Sequence, residues 1–130
     1  MRKGVLLLIV LGLAACAPEI TRRPSQLTST APQPAETIEV TRAAKVSVGP
    51  VGYARVIPQG STWTRVGRVA EGDVYKPLDS VFTVEGAHVH EAYLVLADDR
   101  IVGFYLPVEK AFSPAPDGPN TRLAFKRRQP

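Results

Sequence analysis

The feature that most constrains the fold of this chain is the stretch VFTVEGAHVHEAYLVLADDRIVGFYLPV, residues 81–108. Branched and aromatic residues recur there at short intervals, and the pattern is interrupted at Gly86-Ala87 and at Asp98-Asp99. Glycine and aspartate at such positions favour the tight turns that connect antiparallel strands. Residues 81–108 are therefore predicted to form a three-stranded antiparallel meander.

Two-residue turns at both interruptions predict which residues of the meander face each other. Tyr93 is expected opposite Phe104, and Val95 opposite Val102. Side chains alternate between the two faces of a strand, so one face is predicted to form the core. Its members are Phe82, Val84, Val89, Tyr93, Val95, Val102, Phe104, Leu106 and Val108.

The second face of the meander is also apolar near the Asp98-Asp99 turn, where Leu94, Leu96 and Ile101 lie. A sheet with apolar residues on both faces has to be covered twice, by closing into a barrel or sandwich or by docking on another surface. We therefore predict an all-β fold, a small antiparallel barrel or sandwich of about six or seven short strands, over residues 46–126. The predicted strands are 54–57, 62–69, 74–78, 81–85, 88–96, 101–108 and 122–126.

The N-terminus has the layout of an export signal. Arg2 and Lys3 provide positive charge, and residues 5–14 form an uncharged apolar run. Ten residues make a helix of about 15 Å, whereas a bilayer core is about 30 Å thick. The run is too short to span a membrane.

Leu13-Ala14-Ala15-Cys16 follows at the end of this run and contains the only cysteine of the chain. These four residues resemble the lipobox of bacterial lipoproteins. The resemblance implies that residues 1–15 are a signal peptide, that cleavage occurs before Cys16, and that Cys16 is lipidated. Ala17, rather than aspartate, follows the cysteine, and in this family that favours the periplasmic face of the outer membrane.

Residues 16–45 are predicted to be the lipidated cysteine and a disordered linker. The segment contains Pro18, Pro24, Pro32 and Pro34 among threonine, serine and alanine, a composition typical of spacers. A short strand at residues 36–40 is the alternative for part of it. Residues 127–130 are predicted to be a solvated basic tail, with contact to anionic lipid head groups as the alternative.

The charge distribution argues against nucleic acid as a partner. The chain carries a formal net charge of +4, but residues 46–121 contain six lysines and arginines against nine aspartates and glutamates. Nucleic-acid binding requires basic side chains clustered on one face of the fold. The excess positive charge lies near the two ends of the chain instead.

Glu85, His88 and His90 are the candidate metal ligands. The predicted register places Glu85 opposite His88, and His90 lies two residues further on the same face. Two imidazoles and a carboxylate can hold zinc with one open position. A cross-strand ion pair between Glu85 and His88 is the alternative, and we expect no metal. The glutamate that follows His-x-His in cupins is missing, because Leu94 and Val95 occupy those positions.

No catalytic residue or cofactor is predicted. Ser61 lacks the flanking glycine of a nucleophile elbow, no glycine-rich phosphate loop occurs, and Cys16 is assigned to lipid. The sequence therefore favours a non-enzymatic, lipid-anchored, periplasm-facing protein that binds a protein partner. A structural or assembly subunit of an envelope complex, such as a conjugation or secretion system, is the first expectation. A periplasmic domain that binds a small ligand or metal is the alternative.

Overall fold

The computed structural model describes residues 19–29, 36–49, 53–116 and 122–128. These residues form β-strands and contain no helix, so none of them forms a helix able to cross a membrane. Every strand pair is antiparallel. The predicted all-β antiparallel class is confirmed.

Thirteen strands lie in the described part of the chain, more than the six or seven predicted. Several of them have only two to four residues, too few to give a recognisable pattern in the sequence. Their bounds are β1 Arg23–Pro24, β2 Thr28–Ser29, β3 Thr37–Val40, β4 Ala44–Val46, β5 Arg55–Ile57, β6 Thr62–Val69, β7 Gly72–Pro77, β8 Thr83–Glu85, β9 Val89–Glu91, β10 Tyr93–Ala97, β11 Arg100–Leu106, β12 Ala111–Pro114 and β13 Phe125–Arg128.

One sheet of nine strands organises the molecule. Its order is β1-β12-β11-β10-β7-β6-β3-β13, and β2 also pairs with β6. The outer strands β1 and β13 do not pair with each other among the described residues, so the sheet is open there. An isolated bridge between Arg100 and Arg122 joins the approach to β13 with the start of β11. The pairs β4-β5 and β8-β9 form two further small sheets.

Both faces of the main sheet are covered, as the apolar pattern predicted. Leu94 belongs to the larger core cluster and its neighbour Val95 to the smaller one, so β10 is buried on both sides. In the larger cluster the ring of Phe82 lies between Trp63 and Phe104, with centroids 5.5 and 5.7 Å away. Burial of such large side chains is the main source of stability in a domain of this size.

The second turn of the meander lies at its predicted position, but the pairing of β10 with β11 differs from the predicted register. Asp98 and Asp99 have φ angles of 50° and 62°, as a two-residue turn with two left-handed residues requires. A β-bulge then inserts Val102, so that Tyr93 faces Tyr105 and Val95 faces Gly103. The predicted Tyr93–Phe104 and Val95–Val102 pairs are wrong for this reason.

Gly103, the residue after the bulge, packs closely against β12. A Cβ at this position would lie 2.3 Å from the backbone oxygen of Ser113 on β12. The bulge also moves side chains to the other face, which brings Leu94, Leu96 and Ile101 into the same core as Phe104 and Leu106.

The first turn of the meander is longer than predicted. Glu85 pairs with Val89 and Val84 pairs with His90, so three residues connect β8 to β9. Val89, predicted in the core, is 63% exposed, whereas His90 is only 6% exposed. The extra loop residue reverses the faces of β9 because side chains alternate along a strand. Val108 was also predicted in the core and is 75% exposed in the turn after β11.

The fold begins before the predicted boundary at residue 46. Ile20 is buried, and β1 to β4 lie wholly or largely within the segment that composition assigned to the linker. The alternative of a strand at residues 36–40 is confirmed by β3, where Ile38 and Val40 point into the core. The alternation of apolar residues at Ile38 and Val40 therefore indicates a strand here, although prolines and threonines surround it. Residues 16–18 and 30–35 of the predicted linker lie outside the described part.

The predicted basic tail also begins inside the sheet. Arg127 and Arg128 are part of β13, where they pair with Ile38 and Thr37 of β3. Arg127 contacts Glu36 and Asp99, and Arg128 contacts Glu39. These ion pairs hold two of the four tail residues on the domain, and residues 129–130 lie outside the described part.

Candidate functional site

The structure brings two of the three predicted metal candidates together and separates the third from them. His88 and His90 approach the same carboxylate, with ring centroids 6.4 Å apart. Glu85 ends β8 opposite Val89, and no ion pair joins it to either histidine. The carboxylate that they approach belongs to Glu19, which lies 69 and 71 residues away in sequence.

Glu19 contacts both histidines with its two oxygens. Its Oε2 lies 2.8 Å from Nδ1 of His88, and its Oε1 lies 3.0 Å from Nε2 of His90. The hydrogen bond from His88, followed by the one from His90, lowers the pKa of Glu19 from 4.5 to about 2. Glu19 is therefore ionised and accepts both hydrogen bonds.

His90 lies between two carboxylates. Its second ring nitrogen, Nδ1, is 2.6 Å from Oε1 of Glu109, which follows β11. Two carboxylates on one ring favour the protonated form of His90, the imidazolium, in which both ring nitrogens donate hydrogen bonds. Burial acts to lower the pKa of His90, but the hydrogen bonds that its ring donates to Glu109 and Glu19 outweigh burial and raise this pKa.

We refer to Glu19, His88, His90 and Glu109 as the carboxylate-histidine cluster. It is partly buried: the side chain of His90 is 6% exposed and that of Glu109 is 23% exposed. His88 faces solvent with 74% of its side chain exposed. Oε2 of Glu109 is buried without a hydrogen-bond partner among the protein groups that the structure describes.

The geometry of the cluster suits an ion-pair fastening better than a metal site. A histidine ligand must offer a lone pair to the metal, whereas both ring nitrogens of His90 face carboxylate oxygens, at 2.6 and 3.0 Å. Within the described ranges, no group of three histidine, cysteine, aspartate or glutamate side chains is arranged to hold a metal ion. The cluster holds Glu19, the first described residue, against β9 and the turn before β12.

Residues next to Glu19 are fastened to the domain as well. Ile20 is 2% exposed in the larger core cluster. The backbone oxygen of Thr21 accepts a 2.7 Å hydrogen bond from the buried hydroxyl of Ser113. The backbone N–H of Ser25 donates to the oxygen of Lys110. Residues 19–25 thus form a strap, which packs along β12 and the turn that precedes it.

The serine considered as a nucleophile has a structural role. The Ser61 hydroxyl donates to the backbone oxygen of Pro58 at 2.6 Å and accepts a 3.0 Å hydrogen bond from Nε1 of Trp63. Both bonds close the turn before β6 and satisfy the indole N–H of a buried tryptophan.

Cys16, the predicted lipidation site, lies outside the described residues. Glu19 was not recognised as a site residue, because its partners are distant in sequence and nothing near it signals a contact. Comparisons with protein-family models, with curated proteins and with solved structures find no match for this chain.

Proposed function

We propose that this protein is a lipoprotein of the bacterial outer membrane that faces the periplasm and acts by binding, as a structural or assembly subunit of an envelope complex. We expect this complex to be of the kind found in conjugation or secretion systems. The proposal begins with the resemblance of Leu13-Ala14-Ala15-Cys16 to a lipobox. Several acyl chains on one cysteine would hold the protein at the membrane essentially permanently.

The observation that carries the proposal is the short distance in sequence between Cys16 and the folded domain. Only Ala17 and Pro18 separate Cys16 from Glu19, which is fastened to His88 and His90. Three residues reach about 10 Å at most. A lipid on Cys16 would thus be joined almost directly to the β domain, a layout that suits a module held at the membrane for contact with neighbours.

Exposed apolar side chains support a protein partner. Tyr53, Val56, Leu78 and Val81 are each more than half exposed. Val56 lies on β5 and Val81 shortly before β8, and the backbone N–H of Tyr53 donates to the oxygen of Glu85, which joins these two parts of the chain. Apolar side chains grouped at a surface are typical of protein interfaces. We refer to these four residues as the outer patch.

Photo-crosslinking in the native envelope tests this function. A photoreactive residue at Val81 of the full chain is expected to give a discrete adduct with another envelope protein, and the same residue at Asp98, on the exposed β10-β11 turn, is the control. Cys16→Ser should reduce the Val81 adduct strongly, because the protein no longer concentrates at the membrane. Absence of an adduct from Val81, Val56 and Leu78 would contradict the proposal.

Small-ligand binding is the second candidate, favoured by one observation. An open groove of about 650 Å³ lies beside the strap, lined by Pro24, Ser25, Gln26, Leu27, Tyr105 and Lys110. That volume falls in the range of small-molecule sites. A protein of this kind would give no adduct from the outer patch, so the same crosslinking experiment separates the two functions.

A further inference from the structure

The surface around the carboxylate-histidine cluster is the part of the domain nearest to Cys16. Glu19 contacts His88 and His90, and the next residue, Ile20, is buried in the core, so the strap is held against the domain at this point. The three residues from Cys16 to Glu19 span about 10 Å at most. If Cys16 is lipidated, as proposed above, the bilayer must lie against this end of the molecule.

Two exposed valines lie beside the cluster. Val89, between the two histidines, is 63% exposed, and Val108, directly before Glu109, is 75% exposed. Neither valine belongs to the two core clusters. Valine at the level of lipid head groups removes apolar surface from water, which favours contact with a bilayer.

The charges near the cluster also suit a phospholipid surface. Arg22, within the strap, and Lys110, directly after Glu109, are exposed basic residues, and Arg22 also forms a 3.8 Å ion pair with Glu19. The carboxylates of Glu19 and Glu109 are paired with the histidines, which offsets their negative charge. Basic side chains close to a membrane are attracted to anionic lipids.

We propose that Arg22, His88, Val89, Val108 and Lys110 form a membrane-docking face, which rests on the phospholipid bilayer that holds the lipid on Cys16. This inference rests on the proposed lipidation. It commits the domain to one orientation, with β9 and the turn between β11 and β12 toward the membrane. The Asp98-Asp99 turn lies at the other end of β11, about 20 Å away along a strand of seven residues.

Site-specific fluorescence quenching tests this orientation. The lipidated full chain is reconstituted in vesicles of phosphatidylethanolamine and phosphatidylglycerol that carry nitroxide groups on their head groups. Val89→Cys and Val108→Cys each introduce one thiol for a fluorophore, since the sulfur of Cys16 is already acylated and the chain has no other cysteine. Both positions are exposed, so the substitutions leave the core intact, and circular dichroism checks the fold.

Lys126→Cys is the matched control. Lys126 is exposed on β13, whose Arg127 contacts Asp99 at the far end of β11. We expect the labels at positions 89 and 108 to be quenched several-fold more strongly than the label at position 126. Equal quenching at all three positions, or the strongest quenching at position 126, would overturn the docking face.

Co-sedimentation with the vesicles separates the two proposals. A lipidated protein sediments with them whether or not the docking face touches the bilayer. Sedimentation without selective quenching therefore refutes the docking face alone, and leaves that surface to a protein partner. Failure of the cell-derived protein to sediment, with a free thiol at Cys16, refutes the lipid anchor on which both proposals depend.

Discussion

At the scale of residues, the pairing of His90 with two glutamates makes the stability of the strap depend on pH. The pKa of His90 is raised in the folded state from 6.5, so its contribution is complete below pH 6.5 and is lost as pH rises through the raised value. The pKa of Glu19 is lowered from 4.5 to about 2, so its contribution is complete above pH 4.5 and is lost as pH falls toward 2. Both contributions are complete between pH 4.5 and 6.5.

We therefore predict that Glu19→Gln destabilises the protein most between pH 4.5 and 6.5. The amide still accepts a hydrogen bond, but it removes the charge that favours the imidazolium form of His90. The difference in unfolding free energy from wild type should shrink as pH rises above the raised pKa of His90. Urea unfolding at a series of pH values measures this difference.

Glu85→Gln is the control for this prediction, since Glu85 is the acid that the sequence paired with the histidines. It should change stability by less than about 0.5 kcal/mol, with no maximum in the same pH range. A Glu19→Gln effect that stays flat from pH 4.5 to 9 would mean that His90 does not titrate against Glu19.

Sequence reasoning found part of this cluster. The spacing of His88 and His90 predicted two imidazoles on one face, and in the structure both contact Glu19 although His88 is exposed and His90 is buried. The predicted acid, Glu85, was wrong. Its pairing with His88 depended on a two-residue turn at Gly86-Ala87, and the turn has three residues. Glu19 and Glu109 reach the histidines only through the tertiary fold, and no local pattern indicates contacts over such separations.

At the scale of elements, β3 decides whether the segment before residue 46 is part of the domain. Ile38 is fully buried between β13 and β6. Ile38→Ala is predicted to cost about 2–5 kcal/mol of unfolding free energy, the usual range for a buried aliphatic side chain. Denaturant unfolding of the full chain measures the loss.

Thr37→Ala, one residue earlier and only partly buried, is the control for β3 and should cost about 1 kcal/mol or less. The comparison matters because both residues lie in the segment whose composition resembles a spacer. Equal and negligible effects of the two substitutions would show that residues 37–40 are not part of the fold.

The strands were easier to predict than their register. β5, β6, β7 and β11 lie at or within a few residues of their predicted positions, because short apolar runs bounded by turn residues identify strands locally. The bulge at Val102 lies beside the close approach of β12 to Gly103, and the break at Ala92 separates strands of different sheets. Such features are set by packing between distant segments.

At the scale of the whole molecule, the fold changes what the lipid anchor would do. A disordered linker of about thirty residues would let the domain move roughly 30 Å or more from the membrane. The strap instead fixes Glu19 three residues after Cys16, so the domain would stay at the bilayer surface. A partner would then have to meet the domain at the membrane surface, through exposed groups such as the outer patch.

Mass spectrometry of the N-terminal peptide of the mature protein, purified from bacterial membranes in detergent, tests the central claim most directly. Our account predicts a chain that begins at Cys16 and carries diacylglycerol on its sulfur and a further acyl group on its amine. An unmodified thiol at Cys16, or a mature chain that begins elsewhere, would contradict it.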